Sequence, residues 1–287
     1  MSAPRPRLIE TVLLTAAALT AFAFNSILTR LALGRGLIDA AGFTAIRLAA
    51  GALVLAALVR RASGSWRPLD RPPLAGPLAL FAYAAPFSFA YLRLGAATGA
   101  LALFGTVQLS MIGWGLAHGE RPGGRTWLGL LLAAAGLSAL TLPAARRPDP
   151  LGLLLMAVAG VAWASYSLQG RAAADPLLSN ARAFLWSVPL ALLAGAFTFD
   201  PAGWSGRGLL LAATSGAVTS GLGYAIWYRA LRGLTATQAA IVQLGVPVIA
   251  AAAAVALLGE PLDLRLVASG CLVLGGVAMA LRPAPSL

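Results

Sequence analysis

Four matched stripes of aromatic, amide and hydroxyl side chains interrupt an otherwise apolar chain of 287 residues. The first is Thr15, Ala18, Phe22, Asn25 and Thr29, spaced by three and four residues and therefore on one face of a helix. Counting on 141 places gives Met156, Ala159, Trp163, Tyr166 and Gly170, the same face of a second helix. Tyr83, Phe87 and Tyr91 form an i, i+4, i+8 stripe, and 137 places further on lie Ser220, Tyr224 and Tyr228. Gln108 and Gln243 each sit in Val-Gln-Leu near the middle of an apolar run. Such groups stack, hydrogen-bond and shape a pocket, so the chemistry they support is noncovalent binding. Covalent work would need a nucleophile–base pair or a metal cluster. His118 is the only histidine and Cys271 the only cysteine. No enzyme activity, disulfide, zinc centre or cofactor is expected.

Each of these residues also has a plainer reading. Tyr91, Trp227 and Tyr228 lie near span ends, where aromatic residues form interfacial belts. Trp163 and Tyr83 lie near mid-span, where a polar handle wants a partner and cavity lining is favoured. Phe22, Phe87 and Tyr224 fit core and cavity equally. An amide buried in hydrocarbon must face another helix, water or a ligand, which leaves Gln108 and Gln243 as interhelical glue or as substrate contacts. Pro86, Pro189 and Pro247 interrupt helical hydrogen bonding, and Gly223 is the counterpart of Pro86; Pro86, Gly223 and Pro247 are candidate gating hinges.

The charged residues are as informative. Arg47 falls inside an apolar run, so it must face protein or water, either pairing with backbone carbonyls or anchoring a substrate carboxylate. All nine acids fall at run ends or in connections. A proton-coupled carrier usually needs an ionisable group within its pathway. Glu10, one turn into the first run, is the only first-span acid and the alternative coupling site. Glu120 and Glu260 are expected to cap turns or pair with Arg125 and Arg265.

The elements that must position these groups are membrane spans. The chain is 59% hydrophobic and 10% charged, with mean hydropathy +0.83. A span needs about 20 mostly apolar residues, and ten candidates fit: 8–30, 38–59, 74–93, 97–117, 126–143, 151–171, 177–199, 207–230, 234–258 and 264–282. The first begins after Arg5 and Arg7, but it is long enough to span and its motif recurs in span 6, so it reads as a retained helix. The net charge of +12 comes from 21 arginines scattered through the loops, which argues against nucleic acid as a partner. Alternate scoring of the loops puts 13 arginines on the side of the termini and seven on the other. The positive-inside rule then predicts cytoplasmic N- and C-termini.

The spans repeat. At an offset of 141, Phe22 meets Trp163, Ser26 meets Ser167, Arg30 meets Arg171 and Phe43 meets Phe184; at 140, Gly119-Glu120 meets Gly259-Glu260 and Gly136 meets Gly276. Two halves, 1–145 and 146–287, join through Pro143–Pro150, a helix-breaking linker. A five-span repeat must insert upside down relative to its twin, and inverted repeats with a mid-membrane site are a hallmark of secondary transporters. The expected fold class is thus all-α and polytopic, ten transmembrane helices in two inverted five-helix repeats.

That arrangement, with Pro247 running into Leu258-Gly259-Glu260-Pro261 and a final helix carrying Gly270, Gly275 and Gly276, resembles the drug/metabolite transporter superfamily and within it the EamA family. The aromatic lining is similar to the aromatic amino-acid exporter (YddG-like) type. The resemblance implies an inner-membrane exporter of small metabolites, aromatic and other neutral amino acids foremost, by alternating access. With no acid at mid-span, an uncoupled facilitator is expected; the alternative is a proton-coupled drug or metabolite antiporter using Glu10. Phe22, Asn25, Tyr83, Phe87, Gln108, Trp163, Tyr166, Ser220, Tyr224 and Gln243 are the candidate substrate contacts. Membrane lipid and the small molecule are the only partners expected, and a monomer suffices because both repeats share one chain. One departure stands out: Gln108 and Glu120 are 12 residues apart but Gln243 and Glu260 are 17, and span 4 lacks a counterpart of Pro247.

Overall fold

The computed structural model describes residues 8–64, 70, 73–142, 149–196, 198–258 and 262–281. Within these residues all regular structure is helical. The helices are α1 (Leu8–Leu33), α2 (Ala40–Ser63), α3 (Ala75–Tyr91), α4 (Ala96–Ala117), α5 (Gly124–Thr141), α6 (Pro150–Ala172) and α7 (Pro176–Gly195). They continue with α8 (Gly206–Thr214), a π-helical segment (Ser215–Leu222), α9 (Gly223–Ala230), α10 (Ala236–Gln243), α11 (Gly245–Leu258) and α12 (Leu264–Leu281). The linker residues 143–148, Glu260 and the Gly259–Pro261 motif lie outside the described residues.

Among the described residues, eight stretches are long and apolar enough to cross a membrane, two of them running through a break, Gly206–Gly233 and Ala236–Leu257. The protein is a polytopic membrane protein. The two expected spans outside that set correspond to α3, of 17 residues, and α5, of 18. At about 1.5 Å per residue, α3 is shorter than a hydrocarbon core of about 30 Å.

Local sequence explains the ends and the breaks. Asp39, Asp149 and Asp175 cap α2, α6 and α7, their carboxylates accepting from the N–H groups of Gly42, Gly152 and Leu178 at 2.7, 2.6 and 3.0 Å. Proline follows directly at 150 and 176, where a missing N–H costs nothing. Span 9 breaks between α10 and α11 because Pro247 offers no N–H to the carbonyl of Gln243. Pro86 interrupts the bonding of α3 without ending it. The π-helical turns of span 8 carry Gly216 and Gly221 against α2, so close that a side chain on Gly216 would strike the Arg47 carbonyl.

The principal helix pairs are α2 with α7, α5 with α12, α3 with both α6 and α7, α4 with both α6 and α10, and α1 with the π segment, α9 and α11. In the α5–α12 pair backbones nearly touch. A Cβ on Gly129 would lie 2.5 Å from the Gly276 carbonyl, one on Gly276 2.5 Å from that of Gly129, and one on Gly136 2.8 Å from that of Ser269. Small residues at such crossings let membrane helices associate by close packing where no hydrophobic drive exists between them. Long side chains on the outer faces, such as Leu109, Leu131 and Leu193, are exposed, as lipid-facing residues should be.

Candidate functional site

The inward stripes meet at the centre. Thr15, Ala18, Phe22, Asn25 and Thr29 are all buried on α1, as are Met156, Ala159, Trp163, Tyr166 and Gly170 on α6. Phe22 and Trp163, 141 residues further on, pack edge to face with centroids 5.2 Å apart. Trp163 lies 4.8 Å from both Tyr83 and Tyr224, and Tyr83 lies 5.3 Å from Phe87. A small cavity of about 30 Å³ runs through this cluster, lined by Phe22, Asn25, Tyr83, Phe87, Trp163, Tyr224 and Gln243. The structure therefore brings together seven of the ten candidate contacts.

Polar bonds pin the cluster. The Trp163 indole donates to Gln243 Oε1 at 2.6 Å, and Gln243 Nε2 donates back to the Ala239 carbonyl at 2.8 Å. Asn25 Oδ1 accepts from the hydroxyls of Ser215, Thr219 and Ser220 at 2.7, 3.3 and 3.4 Å. The π segment is what turns these three hydroxyls toward α1.

The other three candidates lie off the cavity wall. Gln108 Nε2 donates to the Ala240 carbonyl at 2.7 Å, tying α4 to α10, and its buried oxygen has no partner among the described residues. Tyr166 donates to Asn180, and Ser220 bonds Arg47 and Asn25. Of the hinge residues, only Pro247 lines a cavity; Gly223 packs on Ala21, and Pro86 stays within α3.

A larger cavity of about 610 Å³ opens above the cluster, at the end of the bundle that carries Arg30 and Arg35. It shares Ser26, Phe87, Leu103, Phe104 and Val246 with the small one, so the two form a vestibule and an inner pocket. At the bundle's other end the helices are tied together by polar contacts. There the chain turns out of α4 at Gly119, whose φ of +85° suits glycine, and the Glu120 N–H reaches back to the Gly115 carbonyl at 2.9 Å. This turn aims Glu120 at the start of α10. Its carboxylate accepts from the N–H groups of Ala236 and Thr237 at 2.6 and 3.0 Å and from the Thr237 hydroxyl at 2.8 Å. Burial works against the charged carboxylate, but those three bonds and Arg171 outweigh it and hold its pKa below the usual glutamate value. Arg171, 3.9 Å from Glu120, also donates to the Leu234 carbonyl at 3.0 Å. Tyr228 donates to the Tyr166 carbonyl at 3.0 Å.

Several residues depart from expectation. Trp227 and Tyr228 are buried rather than in a belt, the Trp227 indole donating to Ser167 at 3.1 Å. Glu120 pairs with Arg171 instead of Arg125, and Arg265 lies 3.8 Å from Asp263. Glu10 is partly exposed, pairs with Arg229 at 2.5 Å and lines neither cavity. Among the described residues Arg47 bonds no backbone carbonyl: its Nε donates to Ser220 at 2.8 Å and one terminal nitrogen to Tyr224 at 2.5 Å.

A membrane-spanning helical bundle with an internal amphipathic pocket opening to one end is an architecture suited to passing small molecules. Residues 150–282 match the EamA-like transporter family. Uncharacterized protein PA1977 of Pseudomonas aeruginosa is 50% identical over 281 residues, covering 96% of this chain and 95% of that protein. The family match thus lies in the C-terminal half of the chain, and PA1977 is a relative over nearly all of it. A protein of known crystal structure, 19% identical, shares the fold with a TM-score of 0.81 over 94% of this chain and 96% of that one.

Proposed function

We propose that the protein exports small metabolites, aromatic and other neutral amino acids foremost, across the bacterial inner membrane. It does so as a carrier without covalent chemistry, of the aromatic amino-acid exporter type, by alternating access between two inverted five-span repeats, 1–145 and 146–287. The observation that carries this reading is that repeat-related residues occupy unlike surroundings. Arg171 is held at the tied end, while its counterpart Arg30 lines the vestibule; Tyr228 is buried and bonded, while Tyr91 lines the vestibule. Two inverted repeats in opposite states are what an alternating-access carrier caught open on one side requires.

Packing supports the repeats. Exchanging the halves turns the α3–α6 contact into that of α1 with the π segment and α9, and the α4–α6 contact into that of α1 with α11. The α2–α7 and α5–α12 pairs map onto themselves, as does the Gly129–Gly276 and Gly136–Ser269 crossing. With the arginine-rich side in the cytoplasm, the tied end faces inward and the vestibule outward. Since no acid lines either cavity, transport runs down the substrate gradient.

Counterflow tests the function: proteoliposomes preloaded with unlabelled phenylalanine should accumulate labelled phenylalanine transiently, with or without a pH gradient. Absence of counterflow across a panel of neutral amino acids would refute it. Cysteines at Ser65 and Ala145 should label from opposite sides of the membrane; labelling from one side would end the inverted ten-span reading.

A further inference from the structure

Arg47 is the eighth of the 24 residues of α2, about two turns in from its start, with 1% of its surface exposed. Its neighbours are neutral. Two hydroxyls take two of its nitrogens, the rings of Tyr83 and Phe87 lie 5.4 and 5.7 Å from its guanidinium carbon, and the remaining terminal nitrogen has no partner among the described residues. Hydroxyls and ring faces solvate a cation without neutralising it. Every described Asp and Glu lies at a helix end or in a connection, so the protein supplies no counterion at this depth. A buried charge is normally paired.

Arg47 also sits directly behind the pocket. Tyr83, Phe87 and Tyr224, three of the residues that contact its guanidinium, line the inner pocket. The vestibule leading there has Arg30 and Arg35 in its wall and, among the described residues, no acid. The whole route is therefore electropositive, and such a route concentrates anions. An ammonium group would find no carboxylate along it. The amide oxygens of Asn25 and Gln243 are already engaged by Ser215, Thr219, Ser220 and Trp163.

We infer that the cargo of this carrier carries a carboxylate that docks on Arg47, behind an aromatic or apolar body held by Phe22, Tyr83 and Trp163. Arg47 is then the residue that sets charge specificity. The inference rests on the same pocket as the transport reading and adds that the carboxylate is required and an amino group is not. Guanidinium suits the task because its planar fork meets a carboxylate with two parallel bonds. In the structure the Tyr224 hydroxyl occupies one of those donor positions, and a carboxylate takes it over when Tyr224 moves aside.

The test uses the purified full chain in detergent and four probes that share a phenylalkyl body: 3-phenylpropionate, phenylalanine, 3-phenylpropionamide and 3-phenylpropylamine. Thermal stabilisation should be given by the two carboxylates. The amide and the amine should bind about 10- to 100-fold more weakly, the range for losing a hydrogen bond to a charged group. In Arg47→Gln the preference for acid over amide should vanish, and Arg47→Lys should keep part of it. Should neither variant fold, the wild-type series decides alone. Equal binding of acid and amide, preference for the amine, or binding of none of the four overturns the inference. Carboxylate-selective binding without phenylalanine counterflow would remove the amino-acid reading and leave Arg47 standing. Counterflow with an amide competing as well as the acid would do the reverse.

Discussion

Replacing Glu120 by glutamine should open the tied end. The carboxylate accepts three hydrogen bonds from the first turn of α10 and faces Arg171. Each oxygen is committed, one to the Ala236 N–H and the other to Thr237. A glutamine keeps one acceptor but sets its NH₂ group against an N–H donor, and it removes the charge that favours a helix N-terminus. Hydrogen bonds to charged groups contribute about 1.5–3 kcal/mol each. Partial hydration of the site argues for the low end, so the net loss is about 1.5–2 kcal/mol, or about 10- to 30-fold in the closed-to-open ratio.

A buried cysteine reads this out. Thr15 lies on α1 toward the tied end, is nearly inaccessible and bonds to nothing through its hydroxyl among the described residues. In a Cys271→Ala background, maleimide labelling of Thr15→Cys should quicken about 10- to 30-fold when Glu120→Gln is added. Labelling of Ala100→Cys, in the vestibule wall, should slow in the same protein, since the proposed alternating access would close one end as the other opens. The pH dependence has a definite sign. A carboxyl held below its usual value contributes closure that is present above that value and lost as pH falls through the depressed one. Hydrogen exchange of the Ala236 and Thr237 amides, corrected for intrinsic rate, should stay slow at neutral pH and rise only in acid. If Glu120→Gln leaves both cysteine rates unchanged, Glu120 only caps a helix and closure depends on other contacts.

Three further outcomes are expected. Trp163→Ala removes ring contacts with Phe22, Tyr83 and Tyr224, each about 0.5–1.5 kcal/mol beyond burial; flux of phenylalanine should fall about tenfold or more, with folded yield less affected, and normal flux for every substrate would make Trp163 mere packing. Gly276→Val places a side chain against the Gly129 carbonyl and the Ala133 N–H, so the α5–α12 pair must separate and the yield of monodisperse protein should collapse, while Gly275→Val, facing open space, should be tolerated. Glu10→Gln loses only a partly exposed pair with Arg229 and should leave flux and its indifference to a pH gradient unchanged; accumulation driven by pH in the wild type but not the variant would establish proton coupling.

The parts of this molecule that sequence alone makes legible are those governed by helical period. A three-four step puts Phe22 and Asn25 on one face whatever surrounds the helix, and the matching stripe on α6 could only make sense if both faces turned inward. Pro247 announced the break in span 9 for the same local reason, a missing N–H. The arginine of α2 could be flagged as costly but not assigned, because Ser220 and Tyr224 are 173 and 177 residues away in the chain. For Glu120 the sequence offers only a turn cap or the nearby Arg125, because its partners on α10 lie 116 and 117 residues on.

The misplacement of Trp227 and Tyr228 has a different cause. Position along a span indicates depth, and depth suggested an interfacial belt, but facing decides burial. The π-helical turns of Ser215–Leu222 use more residues per turn than an α-helix, so they rotate everything that follows relative to a simple count of 3.6. What rotates inward is Tyr224, onto Arg47, then Trp227 and Tyr228, onto Ser167 and the Tyr166 carbonyl. The widening also needs glycine at 216 and 221, where α2 comes within backbone contact. The glycine run in span 8 thus does more than soften a helix: it sets which of its aromatic residues reach the pocket, and it brings the Arg47 guanidinium to the pocket's back wall.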